Sequence, residues 1–169
     1  MPESGINLAI ALKCEQLAGL YGIPVQLLRV DDTSLADAES ETLREKKRSD
    51  LEKRVEIVNS TENAILLSIH QNYFTKPEYY GAQVFFRPEQ QSQLWASRTQ
   101  EQLRNCIDPE NRRQPKEIPE DIYLMSHISC PAILVECGFL SNSQEDQLLQ
   151  TQSYQCLLAA VMMGSYLGS

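Results

Sequence analysis

Two short and strongly apolar runs constrain this chain more than any other feature. One run, Ala64–Leu67, leads into His70, and the other, Ala132–Val135, leads directly into Glu136. Runs of this length that are bounded by turn residues are typical of buried strands. A side chain at the end of such a strand lies where the sheet meets solvent, and α/β proteins keep their chemistry there. His70 and Glu136 are therefore the first candidates for a functional site.

Helical patterns surround these runs. They predict helices over residues 4–20, 43–59, 88–105 and 153–167, and another that Asn142 or Ser143 caps. The remaining patterns predict strands over 25–30, 64–70, 82–86, 122–125 and 131–136, with loops over 31–41 and 106–120. Strands that alternate with helices predict one α/β layered domain over residues 1–169, with a largely parallel twisted sheet flanked by helices.

The composition excludes several classes of protein. A net charge of −8 and an isoelectric point of about 4.8 argue against a nucleic-acid-binding protein, which needs a basic face. No apolar run is long enough to predict a membrane span. The five cysteines have no Cys-x-x-Cys spacing, so they indicate neither a disulfide framework nor a zinc cluster.

Each candidate residue also has a simpler explanation. A carboxylate at Glu136 is costly at the end of an apolar strand unless it is paired, solvated or facing a metal, and an arginine partner would suffice. A single strand-end histidine such as His70 is more often structural than a ligand. Glu3 precedes the first helix and shares a face with Asn7, but acidic residues are common in first turns because of the helix dipole.

Four blocks of the sequence, taken in order, resemble a known family. They are residues 3–12, 54–59, 68–72 and 131–142, which read ESGINLAIAL, RVEIVN, SIHQN and PAILVECGFLSN. Together they resemble the zinc-dependent N-acetylmuramoyl-L-alanine amidases of the amidase-3 family. Residues 111–115 and 121–124 resemble the spore-cortex branch of that family, the CwlD type. The resemblance covers essentially the whole chain.

This resemblance implies hydrolysis of the amide between the lactyl group of muramic acid and the L-alanine of the stem peptide. It implies one Zn²⁺ held by two histidines and a glutamate. Glu3 matches the glutamate ligand, His70 matches one histidine ligand, and Glu136 matches the catalytic glutamate. Asn72 is a weaker match for a residue that orients the site. The family works in the cell envelope or the forespore, and the resemblance implies the same location here.

The family's first block, a strand followed by Asp-x-Gly-His-Gly-Gly, has no counterpart in this sequence. That block carries the other histidine ligand, so we expect a domain incomplete at its N-terminus and a zinc site that lacks one protein ligand. Three explanations stay open: an upstream extension, a degenerate homologue, or rescue by another ligand. We expect His127, the remaining histidine, to be a structural or cleft residue, because the missing ligand belongs to a different strand.

Two further expectations concern partners. The loop over residues 106–120 carries Arg112, Arg113 and Lys116, which could contact substrate carboxylates or a partner protein, although a solvated basic loop is the simpler reading. A chain that kept this cleft without the chemistry would be a cell-wall-binding module. The missing strand would leave a sheet edge unpaired next to the strand of His70, so we expect poor solubility, dimerisation through that edge, or a local rearrangement near residues 1–5.

Overall fold

The structure is a computed structural model and describes residues 2–30 and 42–168. Within these residues the helices are α1 (Glu3–Leu20), α2 (Leu43–Ser60), α3 (Gln90–Cys106), α4 (Tyr123–His127), α5 (Ser143–Leu149) and α6 (Gln152–Leu167). The strands are β1 (Leu66–Asn72), β2 (Gln83–Phe86), β3 (Lys116–Glu117) and β4 (Ala132–Phe139). Of the helices described, none has the length and apolar character needed to cross a membrane.

The four described strands form one sheet in the order β1-β4-β2-β3. β1 and β4 pair in parallel, β2 runs antiparallel to β4, and β3 is parallel to β2. The predicted α/β layered fold is confirmed, and the sheet is mixed. The reversal at β2 has a simple cause, because residues 73–82, which connect β1 to β2, contain no helix that could carry the chain back for a parallel strand.

Two apolar clusters cover the two faces of this sheet. Ile133, Val135 and Cys137 of β4 lie in the larger cluster, which contains residues of α1, α3 and α6. Ala132 and Leu134 lie in the smaller cluster, to which α2 and α4 contribute. Successive side chains of a strand point to opposite faces. The alternation therefore places Glu136 on the face of the smaller cluster.

Two predicted strands are wrong. Residues 25–30 form no strand, and Leu28 within them packs against the smaller apolar cluster instead. The predicted strand over 122–125 is helix α4. Its local contacts favour the helix, since the rings of Tyr123 and His127 stack at 3.9 Å, four residues apart, and the Ser126 hydroxyl donates to Ile122 O.

The other predicted elements agree with the structure to within a few residues. Asn142 is the N-cap of α5, as predicted, and its side chain accepts hydrogen bonds from the backbone N–H groups of Gln144 and Glu145. The predicted loop over 106–120 contains the two-residue strand β3. The predicted loop over 31–41 falls outside the described residues.

β1 is an edge strand of the sheet that the described residues form. Its inner side pairs with β4 from Leu66 to Asn72. An edge strand presents backbone groups that can pair with another chain. Dimerisation through this edge stays a prediction.

Candidate functional site

His70 and Glu136 lie side by side across the sheet. They are register partners in the parallel pair of β1 and β4, and Gln83 of β2 is the partner of Glu136 on its other side. Register partners point to the same face of a sheet. The structure therefore forms a row of three polar side chains, and the sequence predicted two of them.

Glu3 completes the group from a helix. It is the first residue of α1, follows the extended N-cap Pro2, and reaches the β1 edge of the sheet. Its Oε1 atom lies 3.3 Å from Nδ1 of His70 and accepts a hydrogen bond from the backbone N–H of Gln71 at 3.2 Å. The side chains of Glu3 and His70 are each a little over 40% exposed, so a ligand can reach both.

Gln71 and Asn7 hold Glu3 in this position. Nδ2 of Asn7 donates to Glu3 Oε1 at 3.2 Å, and Nε2 of Gln71 donates to Asn7 Oδ1 at 3.1 Å. Gln71 is only 4% exposed. Sequence analysis missed its role, although one signal was present: the residue after His70 must point to the opposite face of β1, where α1 packs, and a polar side chain there needs a partner.

Of the carboxylates in this group, Glu136 is the one whose ionised form is least favoured. Its Oε2 atom is buried and has no hydrogen-bond partner among the described residues. Burial raises the pKa of Glu136 to about 7, and the negative charge of nearby Glu3 adds to this effect. A carboxyl group that titrates near neutral pH can both accept and donate a proton under physiological conditions.

The structure separates the two candidate arginines. Nη1 of Arg113 lies 3.4 Å from Oε1 of Gln83, the neighbour of Glu136 in the row. Arg112 instead donates to Pro109 O at 2.8 Å and to the Glu110 carboxylate at 3.3 Å, in an exposed turn. Arg113 is thus brought to the site, and Arg112 is not.

A buried scaffold fixes Arg113. Arg104 donates from Nε to Asn111 O at 2.8 Å and from Nη2 to Arg113 O at 2.9 Å. Asn111 is 2% exposed, and its side chain donates to Ala82 O and accepts from the Arg113 N–H. A Cβ at Gly81, whose φ is +90°, would lie 3.0 Å from the Asn111 side chain, so glycine permits this approach.

Hydrogen bonds to Glu145 of α5 link the end of β4 to the loop that precedes β2. Its carboxylate accepts from the Gly81 N–H at 2.9 Å and from the Phe139 N–H at 2.8 Å. Burial raises the pKa of Glu145, and the two backbone donors oppose that rise. We interpret it as a structural carboxylate that positions the loops around the row.

Asn72, the weaker candidate, ends β1 two residues after His70. The register of the β1–β4 pair shifts between these two residues, and Asn72 pairs with Phe139. Its backbone oxygen accepts the Leu140 N–H at 2.8 Å. The structure thus places Asn72 at the mouth of the site without a described contact to Glu3 or Glu136.

The donor chemistry of the group fits zinc, but the number of described ligands is small. Imidazole and carboxylate are zinc ligands, and catalytic zinc sites use three protein ligands. Glu3 and His70 supply two, with suitable donor atoms 3.3 Å apart. Across residues 2–30 and 42–168, no group of three or more His, Cys, Asp or Glu side chains is arranged to hold a metal.

His127 and Cys137 are two other side chains that could bind zinc, but neither lies with this group. The Nδ1 atom of His127 is 2.8 Å from Tyr123 O, and the imidazole stacks on the Tyr123 ring. Cys137 is 1% exposed and lies in the larger apolar cluster, on the face opposite Glu136. Burial raises the pKa of the Cys137 thiol well above its usual range, which disfavours the thiolate that zinc requires.

Fold and site together define a layered α/β domain in which His70 and Glu136 lie side by side within two parallel strands, short of the strand ends that the sequence predicted, and Glu3 joins them from helix α1. Residues 1–164 match the family described as Amidase_3, N-acetylmuramoyl-L-alanine amidase. The chain belongs to this family.

Individual relatives agree with that assignment. The chain is 31% identical over 159 residues to the germination-specific N-acetylmuramoyl-L-alanine amidase of Bacillus subtilis, which covers 94% of this chain and 66% of that protein. It superposes on the CwlD amidase of Clostridioides difficile, solved in complex with the GerS lipoprotein, with a TM-score of 0.94, 38% identity, and coverage of 99% of this chain and 86% of that one.

A second solved structure has the same fold. For the N-acetylmuramoyl-L-alanine amidase from Clostridium difficile 630, the TM-score is 0.83 at 25% identity, with 99% of this chain and 83% of that chain covered. The chain therefore spans most of these two solved structures and slightly less than two thirds of the curated B. subtilis relative.

The electrostatics of Glu136 predict a pH-dependent gain of stability in the variant Glu136→Gln. Because the pKa of Glu136 is about 7 in the folded state and 4.5 for an unperturbed glutamate, ionisation of Glu136 destabilises the fold as pH rises between these values, and fully above pH 7. With metal removed by a chelator, we expect Glu136→Gln to be more stable than the wild type by about 1–3 kcal/mol at pH 8. The difference should vanish near pH 4.

Urea unfolding at the two pH values measures this difference. Glu117→Gln, at an exposed glutamate of β3, is the matched control and should show no such trend. A loss of stability in Glu136→Gln that is larger at pH 8 than at pH 4 would mean that the ionised carboxylate is stabilised by a partner, contrary to this interpretation.

Proposed function

We propose that this chain is the catalytic part of a peptidoglycan amidase. The bond hydrolysed is the amide between the lactyl group of N-acetylmuramic acid and the L-alanine of the stem peptide. One observation carries the proposal: Glu3 and His70 present adjacent donor atoms 3.3 Å apart, and Glu136 stands beside His70 in register. Family membership supplies the substrate class.

Glu3 and His70 are the residues that would hold a zinc ion. When bound, zinc would supply a Lewis acid that polarises the scissile carbonyl and lowers the pKa of water. Asn7 and Gln71 would keep the Glu3 carboxylate oriented, because both donate hydrogen bonds within its network. We propose that the third protein ligand comes from outside the described residues.

Glu136 would carry the proton through the reaction. Its carboxylate accepts a proton from the attacking water, and the water oxygen bonds to the carbonyl carbon. The same proton then passes to the amide nitrogen, the C–N bond breaks, and L-alanine leaves as a free amine. A pKa of about 7 suits both halves of this cycle, since neither the acid nor the base form is strongly preferred at neutral pH.

Arg113 would bind a carboxylate of the stem peptide. Its Nε donates to Tyr80 O at 2.9 Å and its Nη1 lies near Gln83, while Nη2 makes no hydrogen bond to a described residue. A guanidinium fixed on one side and open on the other is suited to anion binding. Asn72, at the end of β1, would contact the substrate from the mouth of the site.

The relatives suggest a biological setting. One is named germination-specific, and another was solved with a lipoprotein. We propose that this protein acts on spore peptidoglycan in the envelope or forespore and that a partner protein regulates it.

The first test is hydrolysis itself. With zinc supplied, the chain and a version extended upstream are assayed for release of stem peptide from a muropeptide. Glu136→Gln should lower turnover roughly 10²–10⁴-fold, the usual contribution of a general acid–base group. Glu117→Gln is the control that keeps activity. If neither version releases peptide, the enzyme proposal is wrong, and muropeptide binding without turnover would favour a binding module.

Zinc binding can be tested without activity. Zinc in excess should raise the melting temperature of the chain through binding to the folded state, and His70→Ala should abolish this rise. His127→Ala should keep it, because that imidazole stacks on Tyr123, its Nδ1 atom lies 2.8 Å from Tyr123 O, and it has no described contact with Glu3 or His70. Differential scanning calorimetry with and without a chelator gives the readout. An unchanged rise in His70→Ala would place the metal elsewhere.

Arg113 and its neighbour Arg112 provide a test of the substrate contact and its control. Arg113→Ala should raise KM about tenfold, because a charge-assisted hydrogen bond contributes on the order of 1.5–3 kcal/mol and this one is partly exposed. Arg112→Ala should leave KM unchanged. Circular dichroism checks that both variants fold. Equal effects of the two substitutions on KM would contradict the assignment.

A further inference from the structure

Residues 73–80, here called the aromatic loop, expose four aromatic side chains between β1 and β2. Tyr73 is 71% exposed, Phe74 46%, Tyr79 41% and Tyr80 49%. Isolated apolar side chains on a surface need no explanation, but several within one short loop indicate a binding surface.

The rings of this loop are arranged in contact. The Phe74 and Tyr79 rings meet edge to face at 4.8 Å, and Tyr79 stacks on Phe139 at 6.3 Å. The Arg113 guanidinium lies 4.7 Å from the centre of the Phe139 ring. Such pairs prefer these geometries and hold each other in place. The exposed rings thus pack on Phe139, and Phe139 in turn contacts Arg113, which reaches the candidate site.

The backbone of the loop is also fixed. The Phe74 N–H donates to the Ser141 hydroxyl at 3.1 Å, and the Asn142 side chain donates to Pro77 O and Tyr79 O. Nε of Arg113 donates a hydrogen bond to Tyr80 O. A preformed surface loses little conformational entropy when a ligand binds, which favours affinity.

The loop lies close to the proposed chemistry. It begins directly after Asn72, three residues from His70. Phe139, the base of the stack, is three residues beyond Glu136 on β4, about 10 Å at strand spacing. In the proposed reaction the scissile carbonyl belongs to a lactyl group on a sugar ring. A sugar must therefore lie within about this distance of Glu136.

The chemistry of the loop favours sugar over peptide. Its charged residues are one lysine, Lys76, and one glutamate, Glu78, so it offers no cluster of positive charge for the carboxylates of stem peptides. Three of its four exposed rings are tyrosines, which combine a flat apolar face with a hydroxyl that can donate or accept a hydrogen bond. Pyranose rings match this pattern, since they have an apolar C–H face surrounded by hydroxyl groups.

We propose that the aromatic loop is a glycan-binding subsite that holds the sugar strand of peptidoglycan beside the site of cleavage. The inference rests on the proposed function, because the amidase reaction is what places a sugar there. The subsite would make the protein prefer glycan-linked stem peptides over small muropeptide fragments.

Binding of a neutral glycan tests the subsite without requiring catalysis. The probe is a tetramer of N-acetylglucosamine, titrated at millimolar concentrations and followed by nuclear magnetic resonance shifts and calorimetry. Tyr73→Ala and Phe74→Ala should each weaken binding roughly 3- to 10-fold, the range expected for one aromatic contact. Tyr73→Phe should weaken binding less than Tyr73→Ala does, because it keeps the ring face and loses only the hydroxyl.

Tyr21→Ala is the matched control. Tyr21 is 66% exposed and follows the last turn of α1, about 27 Å along the helix from Glu3. This variant should bind the tetramer as the wild type does. No binding by the wild type, or equal loss in Tyr21→Ala and Tyr73→Ala, would overturn the subsite.

A second measurement separates this inference from the proposed function. Stem-peptide release is compared on glycan strands and on a single N-acetylmuramoyl peptide. Cleavage of both substrates with equal KM, together with no tetramer binding, would overturn the subsite and leave the amidase intact. Tetramer binding that Tyr73→Ala weakens, without cleavage of either substrate, would uphold the subsite and overturn the amidase.

Discussion

The parallel pairing of β1 with β4 is the interaction on which the site depends. It sets His70 against Glu136 in register, and the same alternation sends Val135 and Cys137 into the larger apolar cluster. A slip of one residue would exchange the two faces, so that Glu136 would point into the larger apolar cluster and Val135 and Cys137 would leave it. The apolar residues of β4 that hold the sheet together therefore also hold the site in place, and stability and function share one register.

Desolvation decides the chemical character of Glu136. Its neighbour Glu3 is exposed to solvent by a little over 40% and receives hydrogen bonds from Asn7 and Gln71, so two carboxyl groups in one site have different environments. Burial gives Glu136 the raised pKa, and the charge of Glu3 is the smaller cause. In the proposed reaction this difference in environment would let Glu136 carry the proton while Glu3 binds the metal.

Much of this arrangement could be predicted from the sequence because it depends on local pattern. The apolar runs predicted β1 and β4, and their polar ends predicted His70 and Glu136. The neighbours of these residues depend on which strands pair, and a single sequence does not carry that information. Gln83 enters the row only because β2 runs antiparallel beside β4. Asn111 and Arg104 act through contacts between a helix and a loop, and the strand predicted over 122–125 was wrong because stacking of Tyr123 on His127 favoured a helix.

The charges at this site favour a bound cation. A buried carboxylate oxygen without a partner is costly, and a second carboxylate nearby increases that cost. Arg113, a basic group close to the row, reaches Gln83 but has no described contact with Glu136. A divalent ion at Glu3 and His70 would offset the charge of Glu3 and remove its effect on Glu136. Burial, the larger cause, would still hold the pKa of Glu136 above its ordinary value, so this group would remain able to accept and return a proton near neutral pH.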